Sequence, residues 1–347
     1  MTHISIEHAA QMMAVSSATL RNWAKTGHIQ PVSVRPILFS TDSILHLKTQ
    51  LDSKSFGRLQ TRANKSGAVS HFVPPEYVDN AGLMSHITAL VTLVQTEGLP
   101  TDVVIFLAAL RLLERQGEVH KKPDADPFSM DSYDAWYRPS VQSCMTEWRV
   151  SMPVSKSDAR YARAYDLIHP DDNHDFLGLL YQSLLMEGHK SDQGSYYTPS
   201  KLVDDALSHL DPSVHVFLDP CCGSGQFLLK AAKKFKLKPN NIYGFDCDPI
   251  ALQIARVNLL ITYKEIDFIP HLFCIDALTQ LATGEMFCET NHLLNTVDAI
   301  ATNPPWGAYK NAIAKTAWSQ FVKSGETFSL FLEKSIQLLI GLTQIIK

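Results

Sequence analysis

The chain is poor in several things that would narrow its class. No apolar run in its 347 residues reaches the roughly 18 residues that a membrane span needs. The opening MTHISIEHAAQMM lacks the basic-then-apolar layout of a secretory signal. The six cysteines (Cys144, Cys221, Cys222, Cys247, Cys274 and Cys288) include no CxxC pair, which predicts reduced thiols in a cytoplasmic protein and no metal site. There is no internal repeat and no low-complexity tract. Charged residues are 19% and apolar residues 45%, an ordinary balance for a folded chain of two or three domains.

Net positive charge is also missing overall, at −4, but the average conceals an asymmetry. Residues 1–72 hold eight Lys/Arg and three acids, a net of +5, which leaves −9 on the rest. Basic charge gathered on one small segment is the footprint of a nucleic-acid contact, or simply a solvated basic surface.

Apolar periodicity predicts a helix over residues 4–13, with Ile6, Ala9, Ala10 and Met13 on one face. After a Val15-Ser16-Ser17 turn, a second helix follows over residues 17–25. In it Leu20 and Trp23 face inward and Arg21, Asn22 and Lys25 outward, and Gly27 ends it. An extended stretch runs through Val32, Val34, Leu38 and Phe39 to a third helix. Residues 1–51 are therefore one small domain and the polar stretch 52–80 a linker. Residues 81–190 carry helical spacing and are assigned to a helical domain, within which 166–188 is expected to be one helix and Trp136 and Trp148 core. From 191 to 347 short apolar strands (VHVFLDP, NIYGFD, HLFCID, VDAIATNPP) alternate with helices (GQFLLKAAKKF, PIALQIARVNLLI), which means a parallel sheet.

Chemistry concentrates at the ends of those strands. FLDPCCGSGQFLL sets a glycine loop between a strand ending at Asp219 and a helix starting near Gln226. Gly223 and Gly225 allow a sharp bend and close approach of a ligand, and the helix N-terminus offers free N–H groups to an anion. Dinucleotide-binding folds use a similar loop. Asp246 ends the next strand, 27 residues on, where a carboxylate accepts from both hydroxyls of a ribose. Asp276 ends the third strand, within reach of an adenine edge. After the fourth strand comes Asn303-Pro304-Pro305-Trp306. Two prolines fix φ and remove two donors, leaving a rigid turn that presents carbonyls and the Asn303 side-chain oxygen. Such a turn grips the hydrogens of a conjugated amine and frees its lone pair for attack on a methyl donor. Trp306 supplies a face for an extruded base.

As a set, DPCCGSGQF, YGFDCDP, IDAL and NPPW resemble the adenine-N6 DNA methyltransferase family, including the modification subunits of type I restriction systems and fused restriction-modification or phage-defence methylases. The resemblance covers about residues 165–340. It implies an α/β fold: a partial Rossmann-like, S-adenosyl-L-methionine-dependent sheet, preceded by a helical domain and a small winged helix-turn-helix. It also implies S-adenosyl-L-methionine as cofactor, double-stranded DNA as partner and adenine N6 as acceptor. The segment Gly194–Pro199 (GSYYTP) resembles the family's upstream motif, so Tyr197, Thr198 and Pro199 inherit contact with the methionine moiety. Asp219, Pro220, Gly223 and Gly225 match the cofactor loop, Asp246 the ribose acid, Asp276 the adenine side, and Asn303, Pro304, Pro305 and Trp306 the catalytic tetrapeptide. Cys221-Cys222 departs from the family's usual Ala-Cys. The N-terminal segment resembles the winged helix-turn-helix of MerR and excisionase-like proteins, which maps Arg21, Asn22 and Lys25 to the DNA-facing side, with protein contact as the rival use.

The resemblance implies a longer sheet than the four strands legible here, and a target-recognition domain. The expectation is a truncated product or a split enzyme whose remainder is a second chain, with an open apolar sheet edge and one uncovered face. Two other functions fit the same residues: methylation of RNA or of a protein glutamine, and DNA binding with a vestigial, inactive methyltransferase domain.

Overall fold

The computed structural model describes residues 3–13, 17–25, 29–34, 37–45, 81–134, 136–152, 154, 157–171, 175–185, 198–280, 296–305, 322 and 326–339. They fall into two compact units, one ending before the stretch 46–80 and one beginning after it.

The first unit has β1 (His3–Ser5), α1 (Ile6–Met13), α2 (Ser17–Lys25), β2 (Ser33–Val34) and β3 (Ile37–Ser40). Its antiparallel sheet runs β1-β3-β2. The helix expected from residue 4 begins at Ile6 instead. Ile4 is taken into the sheet opposite Phe39, and Ser5 Oγ accepts the His8 N–H at 3.3 Å, closing the helix start. Ile6, Ala9, Ala10, Leu20, Trp23, Ile29, Phe39 and Ile44 form one core. Arg21 and Lys25 of α2 are exposed, on the side the periodicity predicts.

The second unit opens with helices α3 (Ala81–Glu97) and α4 (Thr101–Arg115), then a short hairpin of β4 (His120–Lys121) and β5 (Tyr133–Asp134) that the sequence reading lacks. Helices α5 (Pro139–Ser151), α6 (Ala159–Leu167), α7 (Phe176–Leu184) and α8 (Ser200–Ser208) follow. The α/β part is β6 (Phe217–Asp219), α9 (Gln226–Lys234), β7 (Ile242–Asp246), α10 (Pro249–Thr262), β8 (His271–Cys274), α11 (Ala277–Gln280), β9 (Ala299–Ile300) and α12 (Thr327–Leu339). The four strands are parallel, in the order β8-β7-β6-β9.

Three sequence expectations change here. The single helix over 166–188 is two: α6 stops at Leu167 and α7 starts at Phe176. Pro170 disfavours helix at the residue before it, and Asp175 caps the new start by accepting the Gly178 N–H at 2.9 Å. Residues 81–190 do not fold apart from 191–347. One apolar cluster runs from Leu83 through Leu252 to Ala299, and every residue of α4 from Val103 to Leu110 is buried. A helix apolar on all sides must be surrounded, and α4 is, by α6, α7 and α10. Nor is the far face of the sheet bare: Leu218, Tyr243 and Phe245 share a second core with Leu278, Leu330 and Phe331, from α11 and α12. The alternation along β7, Ile242 to one core and Tyr243 to the other, sets the two layers. Trp148 is buried and Trp136 packs against the core, as expected.

Candidate functional site

In the order β8-β7-β6-β9 the chain direction of winding reverses at β6, and an open parallel sheet binds its ligands at the carboxyl ends beside that reversal. The glycine loop leaves β6 at this point. Its N–H groups are tied inward: Cys221 donates to Asp219 Oδ1 at 3.0 Å, Cys222 to Phe245 O at 2.9 Å, and Gly225 to Cys222 O at 2.8 Å. Gly225 sits at φ +93°, a backbone angle that favours glycine, and a Cβ there would stand a tight 3.2 Å from the Ala255 Cβ on α10. Helix α9 has no side-chain cap, which leaves its first N–H groups facing the crevice end of β6.

Asp246, at the end of β7, joins the loop to the next strand. Its Oδ2 accepts the Gly223 N–H at 2.7 Å and its Oδ1 the Asp248 N–H at 2.8 Å. Burial pushes its carboxyl above the usual range, while those two N–H groups pull it back. The Cys247 N–H pulls in the same direction, and a carboxylate has about four acceptor positions, so these N–H groups do not fill it. Asp219 is only 1% exposed. Burial raises its pKa to about 7, the Thr302 hydroxyl and the Cys221 N–H oppose the rise, and the Asp246 charge adds to it. Thr302 Oγ1 is itself buried and, among the described residues, makes no hydrogen bond of good geometry, so it lies beside the carboxyl without closing on it. Asp276 lies two residues past the end of β8, which stops at Cys274; it caps α11 through the Leu278 N–H at 3.0 Å and is half-buried. The Ile275 N–H donates to Asp246 O at 2.9 Å, so the two acids stand at neighbouring strand ends.

After β9 the backbone passes Thr302 to Asn303, whose Nδ2 donates to Thr198 Oγ1 at 3.1 Å. This orientation points the other amide atom, Oδ1, away from that bond as an acceptor. Pro304 is buried and Pro305 half-buried, and Pro199 is the residue before α8. Two motifs that lie 105 residues apart thus meet at one hydrogen bond. The structure also brings together Gly223 with Asp246, Asp246 with Asp276, and Asp219 with Thr302. Tyr197 and Trp306 lie outside the described residues, as does the Asn22 side chain. Arg21 and Lys25 belong to the other unit.

Sequence reading passed over Thr302 and Asp175. The signal for Asp175 was present: an Asp-rich stretch after Pro170 and directly before the apolar run FLGLL is a helix-start signature. Its carboxylate also accepts from Ser224 Oγ at 2.7 Å and Gln226 Nε2 at 2.8 Å, inside the glycine loop.

A parallel sheet that reverses at its first strand, with a glycine loop and acids at successive strand ends, defines the doubly wound α/β class that takes ligands at its carboxyl edge. Within that class, residues 172–332 match the family model described as N-6 DNA Methylase. Type II methyltransferase M.VspI of Vibrio sp. (strain 343) is 26% identical over 341 residues, covering 97% of this chain and 59% of that protein. The methylase subunit of the type I restriction enzyme MjaIX of Methanocaldococcus jannaschii is 28% identical over 118 residues, covering 33% of this chain and 19% of the subunit. The crystal structure of a modification subunit of a putative type I restriction enzyme from Vibrio vulnificus YJ016 aligns with a TM-score of 0.47 at 18% identity, over 75% of this chain and 66% of that one. The chain spans less than two thirds of the length of these relatives. No helix among the described residues is long and apolar enough to cross a membrane.

Proposed function

We propose that this chain is the cofactor-binding part of a site-specific DNA methyltransferase that moves a methyl group from S-adenosyl-L-methionine to adenine N6, in restriction-modification or phage defence. The observation that carries the reading is the meeting of Asn303 with Thr198 at the carboxyl edge, on the strand beside Asp219 and the glycine loop.

The residues fit the cofactor. The remaining acceptor capacity of Asp246 suits the ribose hydroxyls, the uncapped start of α9 suits an amino-acid carboxylate, and Asp276 stands where an adenine edge would lie. Thr198 and Pro199, with Tyr197 before them, face the methionine end. When bound, the cofactor supplies a sulfonium-activated methyl group. Asn303 Oδ1 and the carbonyl of Pro304 take the two hydrogens of the target amine, which draws its lone pair out of conjugation and toward the methyl carbon. Pro304 and Pro305 hold that grip rigid, and Trp306 stacks on the extruded base. The basic N-terminal unit is a winged helix-turn-helix that contacts double-stranded DNA through Arg21, Asn22 and Lys25. Since the chain spans 59% of the Vibrio relative, the segment corresponding to the remainder, in the same or a second chain, completes target recognition.

Equilibrium titration of the chain with S-adenosyl-L-methionine tests the reading. Saturable binding that weakens at least tenfold in Asp246→Asn is expected; no binding by folded protein overturns it. Methyl transfer, assayed with the completing segment added, is expected on duplex DNA in competition with RNA and protein acceptors, and lost in Asn303→Ala while cofactor binding persists.

A further inference from the structure

The glycine loop is held from behind by a residue of the helical segment. The Asp175 carboxylate takes four donors. Oδ1 accepts the Gly178 N–H at 2.9 Å and Asn258 Nδ2 at 2.9 Å; Oδ2 accepts Ser224 Oγ at 2.7 Å and Gln226 Nε2 at 2.8 Å. Asn258, on α10, also donates to Ser224 O at 3.1 Å. A carboxylate has about four acceptor positions, so this one is filled by protein and has none left for a ligand. Its work is therefore mechanical. Ser224 and Gln226 flank Gly225 at the top of the loop, and Gly223, one residue earlier, makes the bond to Asp246. The start of α7, the loop and the middle of α10 are thus pinned at a single point.

The packing around that point leaves no slack. A Cβ built on Gly178 would stand 2.1 Å from Asp175 Oδ2 and 2.5 Å from Ser224 Oγ. Six residues after Asp175, on the same helix, Tyr181 donates its hydroxyl to Asp248 Oδ2 at 2.8 Å, and the Asp248 N–H is one of the two that orient Asp246. Helix α7 therefore reaches both ends of the Gly223–Asp246 bond, at the loop through Asp175 and at the strand end through Tyr181.

We propose that Asp175 is a positioning residue for the cofactor site: its carboxylate holds the glycine loop in the bent form that aims Gly223 at Asp246 before any cofactor arrives. The inference rests on the methyltransferase reading only for the identity of the ligand; the pre-ordering of the loop stands apart from it. An ordered loop binds without the cost of fixing its backbone at that moment, so loss of Asp175 weakens binding through disorder and not through a lost contact.

Amide hydrogen exchange of the ligand-free full chain tests this directly. In Asp175→Ala, peptides covering residues 221–229 exchange at least tenfold faster, while peptides in α4 and β8 keep their wild-type rates. S-adenosyl-L-methionine binding weakens at least tenfold in the same variant. Gly178→Ala keeps the carboxylate but displaces it, and speeds exchange of the same peptides. Should either variant fail to fold, Ser224→Ala/Gln226→Leu removes the loop's two side-chain donors from the other side and yields the same local change. Unchanged loop exchange, or acceleration spread evenly over α4 and β8, overturns the proposal. Wild-type protein that does not bind S-adenosyl-L-methionine overturns the functional reading alone, since the exchange comparison still decides what Asp175 does.

Discussion

Asn303 and Thr198, 105 residues apart in sequence, are joined by an Asn303 Nδ2 to Thr198 Oγ1 hydrogen bond of 3.1 Å. The bond fixes which way the amide faces, and so turns Oδ1 away from Thr198 as the acceptor that the proposed reaction uses. Removing the threonine oxygen frees the amide to rotate. Thr198→Val is expected to slow methyl transfer by about 10- to 100-fold, in line with losing the orientation of one stabilising group. Its cofactor affinity is expected to fall by less than the transfer rate does, since the proposed contact of Thr198 with the methionine end is one among several. Single-turnover transfer, with cofactor binding measured alongside, separates the two. A rate equal to wild type would show that Thr198 does not orient Asn303.

Asp219 carries a pH dependence whose sign follows from its burial. Its folded pKa, about 7, lies above the ordinary carboxylate value of about 4. The native state therefore holds a proton that the unfolded chain has released over that interval. The stabilisation it contributes is full below about pH 4 and is lost as the pH rises through about 7. Asp219→Asn keeps an acceptor for the Cys221 N–H and does not titrate. Urea unfolding of both proteins from pH 5 to pH 8 is expected to show the variant gaining on wild type as the pH rises. Over that window the upper limit is about 3 kcal/mol, from roughly two pKa units, pH 5 to about 7, at 1.36 kcal/mol each. Parallel curves would mean that the carboxyl is charged throughout.

Local sequence shows the α/β part well because each strand there is a short apolar run ended by a turn. The boundaries around Asp219, Asp246 and Asn303 are set by residues adjacent in the chain. What it hides is contact between distant segments. Leu90 and Leu252 sit in one core, yet the periodicity that marks each as buried says nothing of what covers it. That is why a helical domain was expected where the structure has one continuous unit. Ile4 is a similar case: its spacing suits a helix, and pairing with Phe39 wins. Asp175 shows the converse. Its local role as a helix cap is legible, but its grip on Ser224 and Gln226, 49 and 51 residues away, is a property of the fold alone.

A buried ion pair also joins the helical segment to the sheet layer. Arg138, 4% exposed, gives Glu118, 0% exposed, bonds of 2.7 and 3.0 Å. It also donates to the carbonyls of Leu260, Tyr263 and Ile266 at 2.9 to 3.0 Å, closing the end of α10. Arg138→Met strands a buried carboxylate and three carbonyls, and is expected to cost about 3–5 kcal/mol in urea unfolding. Adding Glu118→Leu removes the stranded charge and is expected to recover about 2 kcal/mol, with the open carbonyls accounting for the rest. No recovery in the double variant would place the whole cost in the end of α10.

The N-terminal unit can be tested apart from any methylation chemistry. Arg21 and Lys25 are exposed on the outer side of α2, while Leu20 and Trp23 anchor its inner side at 0% and 2% exposure. Substituting the outer pair leaves the core untouched, so folding is expected to survive. If that face meets DNA phosphates, each lost cation releases about one counterion fewer on binding. The slope of log affinity against log salt then falls by about one for each of Arg21→Ala and Lys25→Ala. The two effects are expected to add, giving a shallower salt dependence and weaker binding to every duplex tested. A base-specific role for Arg21 would instead lower affinity mainly for one sequence, by about 1–3 kcal/mol. Fluorescence anisotropy of the full chain on labelled duplex, repeated from 50 to 200 mM salt, distinguishes them. Slopes that match wild type in both variants would move the DNA contact off α2 and leave that helix to a protein partner.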